Sequence, residues 1–484
     1  MAAAAAAMAA TTAPAAALPG CIGGLCDMRA LDPWFAKLAR ARRAEGERPL
    51  HILQIGDSHT AGDSLTGAWR DILQQRYGSG GRGVLPPGKP WRGYFLRGMT
   101  ADMSDGWKIS ATFGPGSADP RPALGLSGFD LTSQHDGARI ALTADAGQMF
   151  DRFTICALAQ PRAGALRITI GATSERMNLD SAIARPECKT IRAPQPQFTV
   201  EVVSEGDPVT ITSWATFRDA GGIAVSNLGV VGSQLVHFAR TDDAVVAEEL
   251  RTYKPDLIVL AFGTNEGFAP VFRPYEYEIV LRTQIGRLRR LSGGVPILLI
   301  GAPDASSRRP EMLRNAPGPT PASCPEPVEV RAAPQPVYAS QPQPQPQPQA
   351  TADVSPLAGV MARLRANEGG PADPPPPVPA PPPVQPPAVA AVTLRWEIRP
   401  NPLFPPAGLA SVREVQRRVA HSLGLAFWDW NARMGGACSA VRWVKANPPM
   451  MRPDYVHFTR EGGEVLGKRL QDDLDAAAAI EARR

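Results

Sequence analysis

The chain has 484 residues, 44% of them apolar and 20% charged, with 51 basic against 46 acidic side chains and a formal charge of +5. Such a length and apolar share exclude a mini-protein and allow two domains with at least one large core. The basic residues are spread along the chain rather than gathered in a block, which argues against nucleic-acid binding and for a soluble surface mildly attractive to anionic polymers.

In chain order, residues 1–26 read as an export signal or disordered N-terminus. MAAAAAAMAATTAPAAALPG is Ala-rich, with small residues where a signal peptidase would cut but no basic n-region, so a bare Ala tract is the alternative. LPGC ending at Cys21 also resembles a lipoprotein cleavage box. No other run of 18 apolar residues occurs, so no integral membrane segment is expected. The six cysteines include no CxxC pair, which argues against a zinc site. Export would allow three disulfides, predicted in local order as Cys21–Cys26, Cys156–Cys188 and Cys324–Cys438.

Residues 48–55 (RPLHILQI) form a short apolar run bounded by turn residues, the pattern of a buried parallel strand. Gly56-Asp57-Ser58 follows at once, and SLTGAWRDILQQR over 64–76 has helical spacing, so the unit reads strand, tight turn, helix. The same order recurs at 257–262 before Gly263-Thr264-Asn265-Glu266 and at 295–300 before Gly301-Ala302-Pro303-Asp304. Helices predicted over 242–253 and 275–292 complete a doubly wound α/β sheet, whose ligands bind at the carboxyl ends of the strands. All three polar turns fall on that edge.

From Tyr94 to Ile223 the pattern changes to short alternating segments, among them 139–144, 152–157, 166–170, 198–203 and 208–214, with no helix-length stretch between them. An inserted antiparallel β-sandwich or jelly roll is expected there. Residues 325–393 collapse into Pro, Gln and Ala, a composition that cannot bury enough apolar surface to fold. The α/β pattern resumes with a helix at 409–422 and a strand at 425–428.

Ser58 sits at a strand end on a turn into a helix, where its hydroxyl meets substrate and its own N–H can face a developing oxyanion. Gly62-Asp63-Ser64-Leu65 spells a related tetrapeptide, but Ser64 follows no strand, and six residues along a helix turn it away from Ser58. It reads as an early-helix or N-cap residue. A serine needs a base, and there are six histidines. His51 lies within a strand, His135 in the β insert, and His237 and His421 on presumed helices. His59 adjoins the serine and could line the pocket or order the turn, which leaves His457. Asp454, three residues earlier, can orient its imidazole. Asn265 could donate its amide to an oxyanion and Gly232 a backbone N–H, with Gly229 a competing glycine; each is otherwise ordinary turn chemistry.

Taken together, Ile55-Gly56-Asp57-Ser58-His59-Thr60, Gly232, Gly263-Thr264-Asn265-Glu266 and Asp454-Tyr455-Val456-His457 resemble blocks I, II, III and V of the SGNH/GDSL hydrolase superfamily, in the right order. Gly-Asp-Ser-His-Thr with Gly-Thr-Asn-Glu is similar to the bacterial peptidoglycan O-acetylesterases, which also carry a β-rich, carbohydrate-binding-module-like insert. The segment 428–436 is similar to that branch too. The resemblance implies an SGNH, flavodoxin-like, three-layer sandwich in three parts, 27–93, 226–324 and 394–484, interrupted by the insert at 94–225 and the excursion at 325–393. It further implies a serine esterase with Ser58 as nucleophile, His457 as acid/base, Asp454 as its orienter, and an oxyanion hole of Ser58, Gly232 and Asn265. Such chemistry needs no metal or organic cofactor. The expected partner is an O-acetylated glycan, peptidoglycan foremost, met in the periplasm or outside the cell. An O-acetyltransferase using the same acetyl-enzyme and a non-catalytic glycan-binding protein are the alternatives.

Overall fold

The strand Leu50–Gly56 is buried almost throughout and pairs in parallel with Leu257–Ala261 on one side and Ile223–Gly229 on the other. The sheet runs outward from Leu257–Ala261 through Ile297–Ile300 and Ala426–Trp428 to Leu25–Cys26, whose pairing is antiparallel. This computed structural model describes residues 20–42, 48–117, 123–308, 322–331 and 392–483. The expected export signal up to residue 19 and most of the Pro/Gln-rich excursion lie outside them.

The parallel strands carry apolar side chains on both faces, as strands covered twice must. Ile258, Leu260, Leu299 and Phe427 pack against Asp243–Tyr253, Pro274–Ser292 and Ala407–Ser422. Ile52, Val259, Leu298 and Trp428 pack against Asp32–Arg42, Ser64–Tyr77 and Arg460–Glu481. In the second layer two buried indoles have partners on the last helix: Trp69 donates to Gln471 at 2.8 Å and Trp428 to Asp473 at 2.9 Å. That helix crosses Ser64–Tyr77 at close range, because Gly463 and Gly467 present no side chain. A Cβ on Gly463 would lie 2.5 Å from the Ser64 carbonyl carbon.

The β insert is two antiparallel sheets with one shared core. Leu142, Ile168, Val200 and Val202 of the first meet Phe153, Ile155, Ile211 and Trp214 of the second. The strand Thr210–Phe217 is buried along its whole length, since its other face meets the helix Asp243–Tyr253. The joint there is polar. The Glu249 carboxylate accepts from the Leu126 N–H at 2.6 Å, Thr212 at 2.8 Å and Ser213 at 2.5 Å. One sequence expectation needs correction. Ile223–Gly229 is a sheet strand, so the expected insert boundary at 225 falls inside it. Cys21 is bonded to Cys26 as predicted, and this bond rules out the alternative of a lipoprotein box, which would modify that thiol.

The other two disulfides form as expected, Cys156–Cys188 and Cys324–Cys438. The last closes a neck at which the chain leaves and re-enters this unit, with the Cys324 N–H donating to the Leu403 carbonyl at 2.7 Å. Described residues 327–331 and 392–397 belong to a separate small unit, where the strands Glu326–Arg331 and Val392–Glu397 pair as a two-stranded ribbon. No helix among the described residues is long and apolar enough to cross a membrane.

Candidate active site

Three adjacent strands end level with one another, with Gly56 opposite both Gly229 and Ala261. The loops that follow them leave the carboxyl edge at the point where strand order reverses, the usual crevice of an open α/β sheet. Gly56 is held there by space, since a Cβ would lie 2.3 Å from the Thr60 hydroxyl and 2.5 Å from the Ala261 carbonyl oxygen. Asp57 then caps the short helix Ser58–Ala61 by accepting from the His59 N–H at 2.9 Å. The cap fixes Ser58 at the first helical position.

Ser58 and His457 are 399 positions apart in the chain, yet Nε2 of His457 lies 3.0 Å from Ser58 Oγ. The other ring nitrogen, Nδ1, lies 2.8 Å from Asp454 Oδ2. A carboxylate only accepts, so Nδ1 carries the proton and Nε2 is left to receive one from the serine. The second Asp454 oxygen accepts from the N–H groups of Val456 at 2.9 Å and His457 at 3.0 Å. Partial burial would raise this carboxyl, but those N–H groups and the imidazole outweigh it and hold it below the ordinary aspartate value.

The structure therefore brings Ser58, Asp454 and His457 together. Gly232 and Asn265 lie on the loops after the two flanking strands. Gly232 adopts a φ of 76°, open to glycine, and its N–H, like that of Ser58, donates to no protein acceptor among the described residues. Asn265 donates one amide hydrogen to the Ser233 carbonyl at 2.9 Å, which ties it to the residue after Gly232. Gly229 is the last residue of its strand and packs on the nucleophile turn, where a Cβ would lie 2.1 Å from the Ala61 nitrogen.

The remaining histidines are accounted for otherwise. His51 is packed between the Tyr253 carbonyl at 3.0 Å and the Ser226 hydroxyl at 2.7 Å, and burial pushes it down to about 4. His237 stacks on Phe113, His135 is exposed in the β insert, and His421 is exposed beside Asp27. His59 orders the site. Its Nε2 donates to the Val456 carbonyl at 2.9 Å, while Nδ1 lies 3.3 Å from Asp57. Burial alone would depress this ring, but Asp57 and that carbonyl hold it above the ordinary histidine value.

Sequence reasoning passed over three features. Glu266 accepts from the Leu235 N–H at 2.7 Å and so joins the two loops that carry Gly232 and Asn265. Its burial lifts it to about 7. Trp91 and Phe95 form an aromatic wall beside Ser58, and Arg452 stands next to His457 in the same cavity of ≈ 380 Å³. The cluster Trp91-Arg92-Gly93-Tyr94-Phe95 was a usable signal in a chain with only 6% aromatic residues. A larger cavity of ≈ 810 Å³ lies at the opposite, amino ends of the strands, where Lys37 and Arg48 are tied to Asp256, and Arg152 and Arg192 to Asp219. No serine, cysteine or histidine is among its lining residues.

No family model matches the chain, and no curated protein matches it significantly. Among solved structures, a peptidoglycan O-acetylesterase is similar over 95% of this chain and 100% of its own, with a TM-score of 0.63 and 22% identity. At that identity the likeness establishes a shared fold. A family two carbohydrate esterase from Cellvibrio japonicus matches at 14% identity over 42% of this chain and 79% of its own, with a TM-score of 0.16. An acetyl xylan esterase matches at 11% identity over 51% and 79%, with a TM-score of 0.25. Both are too distant to argue from.

Proposed function

We propose that this protein is a serine esterase of the SGNH type that removes O-acetyl groups from a cell-wall glycan, with peptidoglycan as the substrate. The observation that carries the reading is the continuous relay from Ser58 Oγ through His457 to Asp454 at the sheet's carboxyl edge. His457 accepts the Ser58 proton as the hydroxyl attacks the acetyl carbonyl. The oxyanion is held by the N–H groups of Ser58 and Gly232 and by the second amide hydrogen of Asn265. His457 then returns the proton to the departing sugar oxygen, and a water molecule activated by the same imidazole releases acetate from Ser58. Asp454 orients the ring and balances the imidazolium.

Three disulfides fit an oxidising compartment, which supports action in the periplasm or outside the cell. The fold shared with a peptidoglycan O-acetylesterase and the attached β-sandwich support a glycan as the acetyl carrier. The test is acetate release from O-acetylated peptidoglycan compared with acetylated xylan, with Ser58→Ala as the blank. Faster release from peptidoglycan is expected. Acetyl groups appearing on an added glycan instead of as free acetate would make the protein a transferase, and no acetate from either polymer would sink the reading.

A further inference from the structure

Arg452 lines the same cavity as Ser58 and His457, and its place is fixed because its backbone N–H donates to the His457 carbonyl at 2.8 Å. The side chain is exposed, and its guanidinium makes no ion pair or hydrogen bond with another described residue. Among the described residues no carboxylate lines this cavity, and apart from two histidines Arg452 is its only ionisable side chain. Asp454, the nearest acid in sequence, is engaged by His457.

Much of the remaining lining is apolar. Trp91 is wedged at ring-centroid distances of 4.7 Å from Tyr94 and 5.4 Å from Phe129, so it is a fixed surface. Phe95 is 64% exposed and Val231 52% exposed, large apolar surface left open beside a nucleophile. Flat apolar surface and one unengaged guanidinium in the same cavity suit a sugar ring that bears an anion. The ring's C–H face lies on the aromatic wall, and the anion meets the planar fork of the arginine. One arginine among the lining residues offers a single planar fork, which a carboxylate fills by itself.

We propose that Arg452 selects an acetylated sugar carrying a free carboxylate close to the acetylated hydroxyl. This rests on the acetylesterase reading and deepens it. On peptidoglycan the group is the lactyl carboxylate of muramic acid, which is free only where the stem peptide has been removed. Hydrolysis of the amide between sugar and peptide therefore supplies the preferred substrate, and deacetylation follows it.

The experiment uses the full chain and O-acetylated glycan strands, tested before and after complete amidase removal of the stem peptides. Acetate release is followed for the wild type, Arg452→Gln and Arg452→Lys. The wild type is expected to show a KM about tenfold lower on stripped strands, with similar kcat. Arg452→Gln brings that ratio close to 1, and Arg452→Lys keeps part of it. Equal KM values in the wild type, or a ratio that survives Arg452→Gln, overturns the proposal. Cleavage of p-nitrophenyl acetate without acetate from either strand overturns it while sparing the esterase reading. No cleavage of any of the three substrates removes both.

Discussion

The chain writes Gly-Asp-Ser twice, at 56–58 and at 62–64, and the two copies do different work. In the first, a strand delivers the tripeptide to the sheet's edge, Asp57 caps the turn, and Ser58 faces His457. In the second, Asp63 takes the cap position at a φ of 51° and is fully buried. Its carboxylate accepts from Arg70 at 2.8 Å, Arg82 at 3.0 Å and Thr66 at 2.7 Å. Ser64 borders the cavity, but among the described residues no histidine reaches its hydroxyl. Arg82 also reaches Asn227, so the second copy ties the helix Ser64–Tyr77 to the edge strand that leads to Gly232. The same three residues serve as reactive group in one case and as internal ion cluster in the other, and what precedes them decides which.

Breaking the first copy has the largest expected effect. Ser58→Ala should lower kcat on p-nitrophenyl acetate by about 10⁴-fold or more without shifting the melting temperature. An unchanged rate would end the proposed mechanism. Breaking the second copy acts on the frame. Asp63→Ala leaves two buried guanidinium groups without their carboxylate and should cost about 3–5 kcal/mol of stability in urea unfolding, with kcat retained in the molecules that stay folded. A loss under 1 kcal/mol would show that the ion cluster is dispensable.

Acid titration sharpens the contrast further. Desolvation opposes ionisation of Asp63, but Arg70 and Arg82 outweigh it and hold its pKa at about 2 instead of 3.8. Because the folded value lies below the unfolded one, this contribution is present above pH 3.8 and is lost as pH falls through about 2. It should amount to about 2 kcal/mol, and Asp63→Asn should flatten that part of the stability profile. The smallest effect belongs to Ser64→Ala, expected to change kcat less than about threefold, since no base engages that hydroxyl.

The parallel strands at 50–56, 257–261 and 297–300 were legible because a strand covered on both faces is a continuous apolar run ending in a polar turn. Ile223–Gly229 was missed because it breaks that rule. Ser226 and Asn227 are buried in it, and their polar groups are satisfied by His51, the Val84 N–H, Arg82 and the Thr60 carbonyl. Those partners come from distant segments, and local periodicity carries no trace of them. Asp454 and His457 were readable as a short-range pair, and Ser58 as a residue at a strand end. The cavity walls were not, because Trp91, Phe95, Val231 and Arg452 meet only after the insert and the last helix have docked. Ser64 is an early-helix residue as read, the first of Ser64–Tyr77, while the cap position belongs to Asp63, held there by two arginines.

Gly463 follows His457 by the same six positions that separate Ser64 from Ser58, and the two helices touch at this pair, main chain against side-chain-free backbone. The gap between proposed nucleophile and base is thus set by how closely two backbones approach, a dimension that rotamer exchange cannot alter. Trp91 and Phe95 come from another segment, and the Arg452 side chain projects from the turn before His457 without entering that helix contact. Replacement of Trp91, Phe95 or Arg452 can therefore redirect the protein toward another acyl carrier while the reactive pair keeps its alignment. By contrast, any side chain added at Gly463 pries the pair apart whatever the substrate.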